Sequence, residues 1–173
     1  MTRIAMISGA VLVAVVGALW VWGRLGSFDL HTTAEIDAPP EAVWDVLTDF
    51  DAYPDWNPFI VRISGELREG ASLSADLEGS AGMTITPTVL VADSSRELRW
   101  RGQLGIPGIV DGEHWFTLTD LGNGRTRLDH GEDFSGAAVP VLWPPVLAPT
   151  GDSFEQMNAA LAEEVERRAA ARP

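Results

Sequence analysis

Apolar and polar residues alternate along most of the chain after residue 27. The stretch FDLHTTAEI (28–36) has an apolar or small residue at every second position, which predicts a β-strand. Turn signals such as DSSR and LGNGR separate six further stretches with the same period: FIVRISGEL, SLSADLEG, MTITPTVLVA, ELRWRGQLG, EHWFTLTD and TRLDHGEDF. The pattern predicts seven strands, with antiparallel neighbours joined in a meander.

Two segments carry a helical pattern instead. APPEAVWDVLTDF (38–50) predicts a short amphipathic helix, and the prolines of the next stretch, DAYPDWNPF (51–59), break the chain into turns. GDSFEQMNAALAEEVERRAAAR (151–172) predicts a long C-terminal helix. Its apolar stripe consists of Phe154, Met157, Leu161 and Val165. Because a curved sheet cannot bury its apolar face alone, we expect this helix to lie across it in an α+β fold.

The N-terminal run IAMISGAVLVAVVGALWVWG (4–23) contains no charged residue. At ~1.5 Å per residue it spans a bilayer's hydrocarbon core, which predicts a single-pass transmembrane helix within an anchor at 1–25. A cleaved signal peptide is the alternative, but the run ends in LWVWG rather than in small residues. Since Arg3 and Arg24 flank the run on both sides, the side of the membrane on which the remaining domain (28–170) lies stays open.

Composition narrows the classes of partner and of chemistry. The 173 residues suffice for one substantial domain plus an appendage, and the formal net charge is −13. An acidic chain repels nucleic acid, so no nucleic-acid partner is expected. The chain has no cysteine, which excludes disulfides, thiol catalysis and cysteine-ligated metals.

Three titratable residues share the inward faces of two neighbouring strands. EHWFTL places His114 on its apolar face, and TRLDHGEDF places His130 and Glu132 on its own. A five-residue hairpin loop, 120–124, predicts that His114 lies opposite His130. Glu132 then lies diagonal to His114, within reach of a long side chain.

This constellation has more than one interpretation. The three groups could act as general acid and base in cyclising or dehydrating a polyketide-like substrate. They could also form a buried hydrogen-bonded network, or the wet mouth of a cavity. Two histidines and one carboxylate are suitable metal ligands, but their positions match no recognised spacing, so neither a metal nor a cofactor is predicted.

Several of these stretches together resemble one known superfamily. IDAPPEAVWDVLTDFDAYPDWNPFI, ELRWRG, DGEHWFTL, TRLDHGEDFSG and FEQMNAAL are similar to the START-like helix-grip superfamily, also called SRPBCC, over about residues 28–168. That superfamily includes pollen allergens, lipid-transfer domains and aromatic polyketide cyclases. The resemblance implies a seven-stranded antiparallel sheet wrapped around the C-terminal helix, two short helices after the first strand, and an internal cavity for apolar ligands.

The resemblance and the inward-facing positions together give a set of cavity residues. These are Trp56, Phe59, Trp100, His114, Phe116, Leu128, His130, Glu132, Phe134, Met157 and Leu161. The proline-rich segment LWPPVL (142–147) is expected to cover the pocket as a lid rather than to dip into a membrane surface.

Three functions are compatible with these features. The first is a membrane-anchored domain that binds or carries a hydrophobic small molecule or lipid. The second is an enzyme of the polyketide cyclase/dehydratase type, with His114, His130 and Glu132 as catalytic candidates. The third is a chaperone-type interaction module, which requires an exposed apolar patch.

Overall fold

The computed structural model describes residues 2–78 and 83–171, and in its first helix the side chains from residue 11 onward. The helices are α1 (Thr2–Leu25), α2 (Pro40–Leu47), α3 (Tyr53–Trp56), α4 (Val139–Leu142) and α5 (Gly151–Ala170). The strands are β1 (Asp29–Ile36), β2 (Ile60–Gly65), β3 (Leu73–Leu77), β4 (Met83–Ile85), β5 (Thr88–Asp93), β6 (Glu97–Gln103), β7 (Asp111–Gly122) and β8 (Arg125–Ser135). Short helical turns occupy Phe50–Ala52, Trp143–Leu147 and Ala148–Thr150.

The described strands form two antiparallel sheets rather than one seven-stranded sheet. The larger has the order β1-β8-β7-β6-β5 and the smaller the order β2-β3-β4. The stretch predicted as a single strand, MTITPTVLVA, divides into β4 and β5 at Thr86 and Pro87. Pro87 has no N–H to donate to a ladder, which explains the break. The sheets stay joined at their edges, since the Leu73 N–H donates to the Pro87 carbonyl at 2.8 Å.

Helix α5 packs across the concave side of the larger sheet. Phe154, Met157 and Leu161 on its apolar stripe have no exposed surface, and they belong to one core with Phe116 and Leu128 of the sheet. Each such side chain contributes roughly 1.5–3 kcal/mol on burial. The α+β helix-grip architecture is therefore confirmed, with the long C-terminal helix in the predicted position.

A buried carboxylate fastens the C-terminal end of α5. Glu164 is 8% exposed and accepts hydrogen bonds from Arg167 at 2.6 Å and from Arg168 at 2.7 Å. The Arg167 hydrogen bond is the main reason that the pKa of Glu164 falls to about 2, and the Arg168 hydrogen bond lowers it further. Arg168 also binds Asp49 beyond α2 at 2.8 Å, which ties the helix to the segment that closes the end of the sheet.

The prediction of a transmembrane helix at 4–23 is not supported. In residues 2–78 and 83–171 no helix is long and apolar enough to cross a membrane. The side chains of residues 4–10 lie outside those described, and the described side chains of α1 cover less than the ~20 residues that a span requires. The carboxyl end of α1 contacts the domain, where the Gly136 N–H donates to the Gly23 carbonyl at 3.1 Å.

Candidate functional site

The β7–β8 hairpin brings the titratable residues together, and its turn differs from the predicted five-residue loop. Asn123 and Gly124 form a two-residue turn with φ angles of 56° and 74°. Both angles are positive, as the tight turn that Asn-Gly favours requires. A register irregularity between Asp120 and Gly122 then shifts the pairing of the rest of the hairpin.

This turn corrects the predicted register. His114 pairs with Glu132, and His130 pairs with Phe116. The prediction that His114 lies opposite His130 with Glu132 on the diagonal is therefore wrong, because the partner of His114 lies two residues farther along β8. The inward faces were assigned correctly, because the shift is even and leaves all four side chains on the same side of the sheet.

Aromatic rings enclose both histidines. His130 is fully buried and lies between Phe116 and Phe154, with both ring centroids 4.3 Å away. His114 stacks on Trp100 at 5.0 Å with an interplanar angle of 10°. Burial is the main reason that the pKa of His130 lies well below its ordinary value, and the charge of His114 lowers it further. The His130 ring is thus held in its neutral form.

A continuous hydrogen-bonded chain passes through this aromatic cluster. His114 Nδ1 lies 3.4 Å from Glu132 Oε2, and His114 Nε2 lies 2.9 Å from His130 Nε2. His130 Nδ1 lies 2.8 Å from Asn158 Oδ1, and Asn158 Nδ2 donates to Thr32 Oγ1 at 2.8 Å. Every heteroatom of the histidine pair therefore has a partner, as a buried polar network requires.

Glu132 opens onto a cavity of about 130 Å³, which we call the Glu132 cavity. It lies between the ends of β6, β7 and β8 and the turn at Trp143–Leu147. Its apolar lining consists of Phe59, Leu77, Met83, Ile85, Leu104, Val110, Phe134, Val146 and Leu147. Gly102, Gln103, Gly112 and Thr150 complete the described wall, in which Glu132 is the only titratable side chain.

One of two facing glycines leaves space for the carboxyl group. Gly102 of β6 pairs with Gly112 of β7, and a methyl group added at Gly112 would lie 2.2 Å from Glu132 Oε1. A methyl group at Gly102 would meet only Ile85 and Pro87, both at 3.7 Å. Gly112 therefore determines the position of the carboxyl group, whereas Gly102 has ordinary van der Waals clearance.

The predicted cavity residues fall into two groups. Phe59, Glu132 and Phe134 line the Glu132 cavity, and so do Val146 and Leu147 of the predicted lid. Another group lies outside that lining, buried in α5 or in the strands of the larger sheet: Trp100, His114, Phe116, Leu128, His130, Met157 and Leu161. Trp56 also lies outside it and packs edge-to-face on Tyr53, with ring centroids 5.0 Å apart.

Asn158 and Thr32 were not among the predicted site residues. Asn158 follows Met157 directly and lies four residues after Phe154, so it faces the sheet from the apolar stripe of α5. A polar residue in such a stripe needs a hydrogen-bonding partner on the sheet, and this was a signal present in the sequence. Thr32 gave no comparable signal, because its alternating strand position fits a half-buried threonine equally well.

Neither the polar chain nor the cavity provides a metal site. Within residues 2–78 and 83–171 no group of three histidine, aspartate or glutamate side chains could hold a metal ion. What the arrangement can do chemically is accept or donate a hydrogen bond, or move a proton, at Glu132.

Comparison with protein families assigns the chain to one of them. Residues 27–168 match the family described as polyketide cyclase / dehydrase and lipid transport. The chain belongs to this family. It is also a member of the START-like helix-grip superfamily, as the resemblance in the sequence implied. A comparison with curated protein sequences finds no match.

Solved structures share the fold. A START superfamily protein from Mycobacterium smegmatis is 26% identical, with a TM-score of 0.66 over 82% of this chain and 99% of that one. The Zhui aromatase/cyclase from Streptomyces sp. R1128 is 21% identical, with a TM-score of 0.59 over 83% and 96%. Norcoclaurine synthase from Thalictrum flavum, in complex with dopamine and hydroxybenzaldehyde, is 14% identical, with a TM-score of 0.63 over 82% and 87%.

Proposed function

We propose that the domain binds a small, largely apolar molecule in the Glu132 cavity. The observation that carries this proposal is a single carboxyl group facing a mostly apolar hollow. Binding sites for small molecules have this composition, with many apolar contacts and a few polar groups that fix orientation. Glu132 Oε2 faces His114, which leaves Oε1 beside Gly112 for a ligand.

The size of the cavity limits the ligand. An apolar cavity of about 150 Å³ accepts benzene. The Glu132 cavity, at about 130 Å³, therefore suits one aromatic ring or a short branched chain better than a whole lipid. The solved complex of norcoclaurine synthase with single-ring compounds supports a ligand of this size in the same fold.

Thermal unfolding with a panel of one-ring compounds tests the proposal. A ligand at 100 times its Kd raises the melting temperature of a domain this size by about 5–10 °C. Val146→Trp is expected to abolish the rise, because this exposed residue lines the cavity and an indole there would occlude it. Val141→Trp is the matched control, since Val141 is equally exposed but does not line the cavity. Failure of every compound to stabilise the wild type would reject the proposal.

A second candidate function is acid–base catalysis on such a ligand. It is supported by the contact between His114 and Glu132 at the edge of the cavity. In a dehydration, Glu132 would take a proton from the carbon beside a carbonyl, and the pair would return a proton to the departing hydroxyl as water leaves. The pair thus ends in its starting state.

Glu132→Gln separates catalysis from binding. The variant keeps the shape of the side chain but cannot take up a proton. For an enzyme, it should lower dehydration of a one-ring β-hydroxyketone by at least about a hundredfold. Its affinity for a non-reacting alcohol should change much less, by about tenfold or below. Equal turnover by both proteins would exclude this candidate.

A further inference from the structure

Thr32 and Asn158 lie at the end of the hydrogen-bonded network that is farthest from Glu132, and they determine which group donates each hydrogen bond in it. The Thr32 hydroxyl donates to the His130 carbonyl oxygen at 3.4 Å, so its oxygen is free to accept from Asn158 Nδ2. This contact fixes which way the Asn158 amide points. Its carbonyl oxygen, Oδ1, then faces His130 Nδ1 at 2.8 Å.

The orientation of the Asn158 amide determines which ring nitrogen of His130, and then of His114, carries a proton. An amide carbonyl only accepts hydrogen bonds, so His130 must carry its proton on Nδ1. Burial keeps the pKa of His130 low and the ring neutral, which leaves a lone pair on Nε2. His114 therefore donates its Nε2–H to that lone pair across 2.9 Å.

The charge of the last pair follows from this direction. His114 already carries a proton on Nε2, and its hydrogen bond to Glu132 requires a second proton between Nδ1 and Oε2. The pair is then imidazolium with carboxylate, or imidazole with carboxylic acid, and in both forms its net charge is zero. If donor and acceptor were exchanged in each of these hydrogen bonds, His114 would be neutral beside an ionised Glu132, and the pair would carry one negative charge.

We propose that Thr32 and Asn158 are positioning residues that keep the Glu132–His114 pair electrically neutral. As a result, the cavity selects an uncharged ligand with an O–H donor over an ammonium compound of the same shape. The hydroxyl donates to Glu132 Oε1, which is an acceptor in both forms of the pair. An ammonium group would be buried in an apolar cavity beside a neutral pair, at a high desolvation cost. This selectivity rests on the proposed function, because it requires a ligand in the Glu132 cavity.

Three compounds of similar shape test the selectivity: benzyl alcohol, benzylamine and toluene. We expect benzyl alcohol to bind more tightly than benzylamine by at least about tenfold, and more tightly than toluene by a few fold. Tighter binding of benzylamine, or equal binding of the two, would overturn the inference while leaving the proposed function intact. If none of the three binds at millimolar concentration, the proposed function fails and the selectivity fails with it.

The tautomer of His130 tests the cause without any ligand. In protein labelled with ¹⁵N-histidine, NMR should show a protonated Nδ1 and an unprotonated Nε2 on His130. Thr32→Val keeps the side-chain shape but frees the Asn158 amide to turn, so it should populate the reverse tautomer and shift the alcohol-to-amine preference by about tenfold toward the amine. Thr32→Ser, which keeps the hydroxyl, should behave as the wild type. A wild-type His130 protonated on Nε2 would refute the assigned direction.

Discussion

Gly112→Ala moves the Glu132 carboxyl group without removing it. The new methyl carbon would lie 2.2 Å from Oε1 and 3.2 Å from the carboxyl carbon. Because carbon and oxygen rarely approach within ~3.2 Å, the end of the Glu132 side chain must move by roughly 1 Å. The movement disturbs a contact with His114 that is already 3.4 Å, and it displaces the carboxyl group from the position at which a bound hydroxyl would donate to it.

The substitution should change binding and leave stability nearly intact. Gly112 has an ordinary strand conformation, in which alanine reduces the entropy of the unfolded chain and adds about 0.4–1 kcal/mol. This gain offsets the cost of moving one flexible side chain. Loss of a hydrogen bond to a partly charged group costs about 1–2 kcal/mol, which corresponds to a five- to thirtyfold weaker Kd for benzyl alcohol.

Calorimetric titration with benzyl alcohol, together with thermal unfolding, measures both quantities. Gly102→Ala is the matched control, because the facing glycine has 3.7 Å of clearance and its variant should bind within about twofold of the wild type. Unchanged affinity in Gly112→Ala would refute the role of Glu132 in binding. Equal losses in the two variants would show that only cavity volume matters.

Three further predictions concern stability. The pKa of His130 is lower in the folded than in the unfolded protein, so the stabilising effect of its neutral form should be complete above pH ~6.5. Below that pH, the free energy of unfolding should fall by up to about 1.4 kcal/mol per pH unit. Urea unfolding between pH 7.5 and 5 should show this slope, and His130→Phe should flatten it. Glu164→Gln should cost about 1 kcal/mol at pH 7, and because the pKa of Glu164 is lowered to about 2, the difference from the wild type should shrink as the pH falls below ~4.5. Glu163→Gln, at the exposed neighbouring residue, is its control, and equal losses in the two variants would contradict the stabilising role of the Glu164 hydrogen bonds. Tyr53→Phe should lower the free energy of unfolding by about 1 kcal/mol in the same assay, because it leaves the buried Leu47 carbonyl without the hydroxyl that donates to it at 2.8 Å. An unchanged unfolding midpoint would show that this hydrogen bond contributes nothing.

The local spacing of apolar and polar residues was sufficient to predict the fold and the inward faces of the strands. The period of alternation assigned His114 and His130 to the inward face of the sheet, and the stripe of α5 assigned Met157 and Leu161 to the side of the helix that faces the sheet. The predicted five-residue loop at 120–124 is wrong, because Asn-Gly favours a two-residue turn and the irregularity between Asp120 and Gly122 shifts the pairing by one residue. The turn and this irregularity together change the pairing partners of both histidines.

The location of the cavity could not be derived from the pattern. It depends on Gly112 of β7, which leaves space for the Glu132 side chain, and on how the Trp143–Leu147 turn lies beside the ends of the strands. These are contacts between segments far apart in sequence, and alternation says nothing about the space left between them. The residues under the centre of α5 have the same apolar character as the cavity wall, so the sequence pattern does not distinguish the two places.

A crystal structure of the protein soaked with benzyl alcohol is the most direct measurement of the central claim. We expect the ring in the Glu132 cavity between Phe59 and Phe134, with the hydroxyl oxygen at about 2.6–3.0 Å from Glu132 Oε1. An empty cavity at a saturating concentration of benzyl alcohol, or a ring bound only on the outer surface, would contradict it.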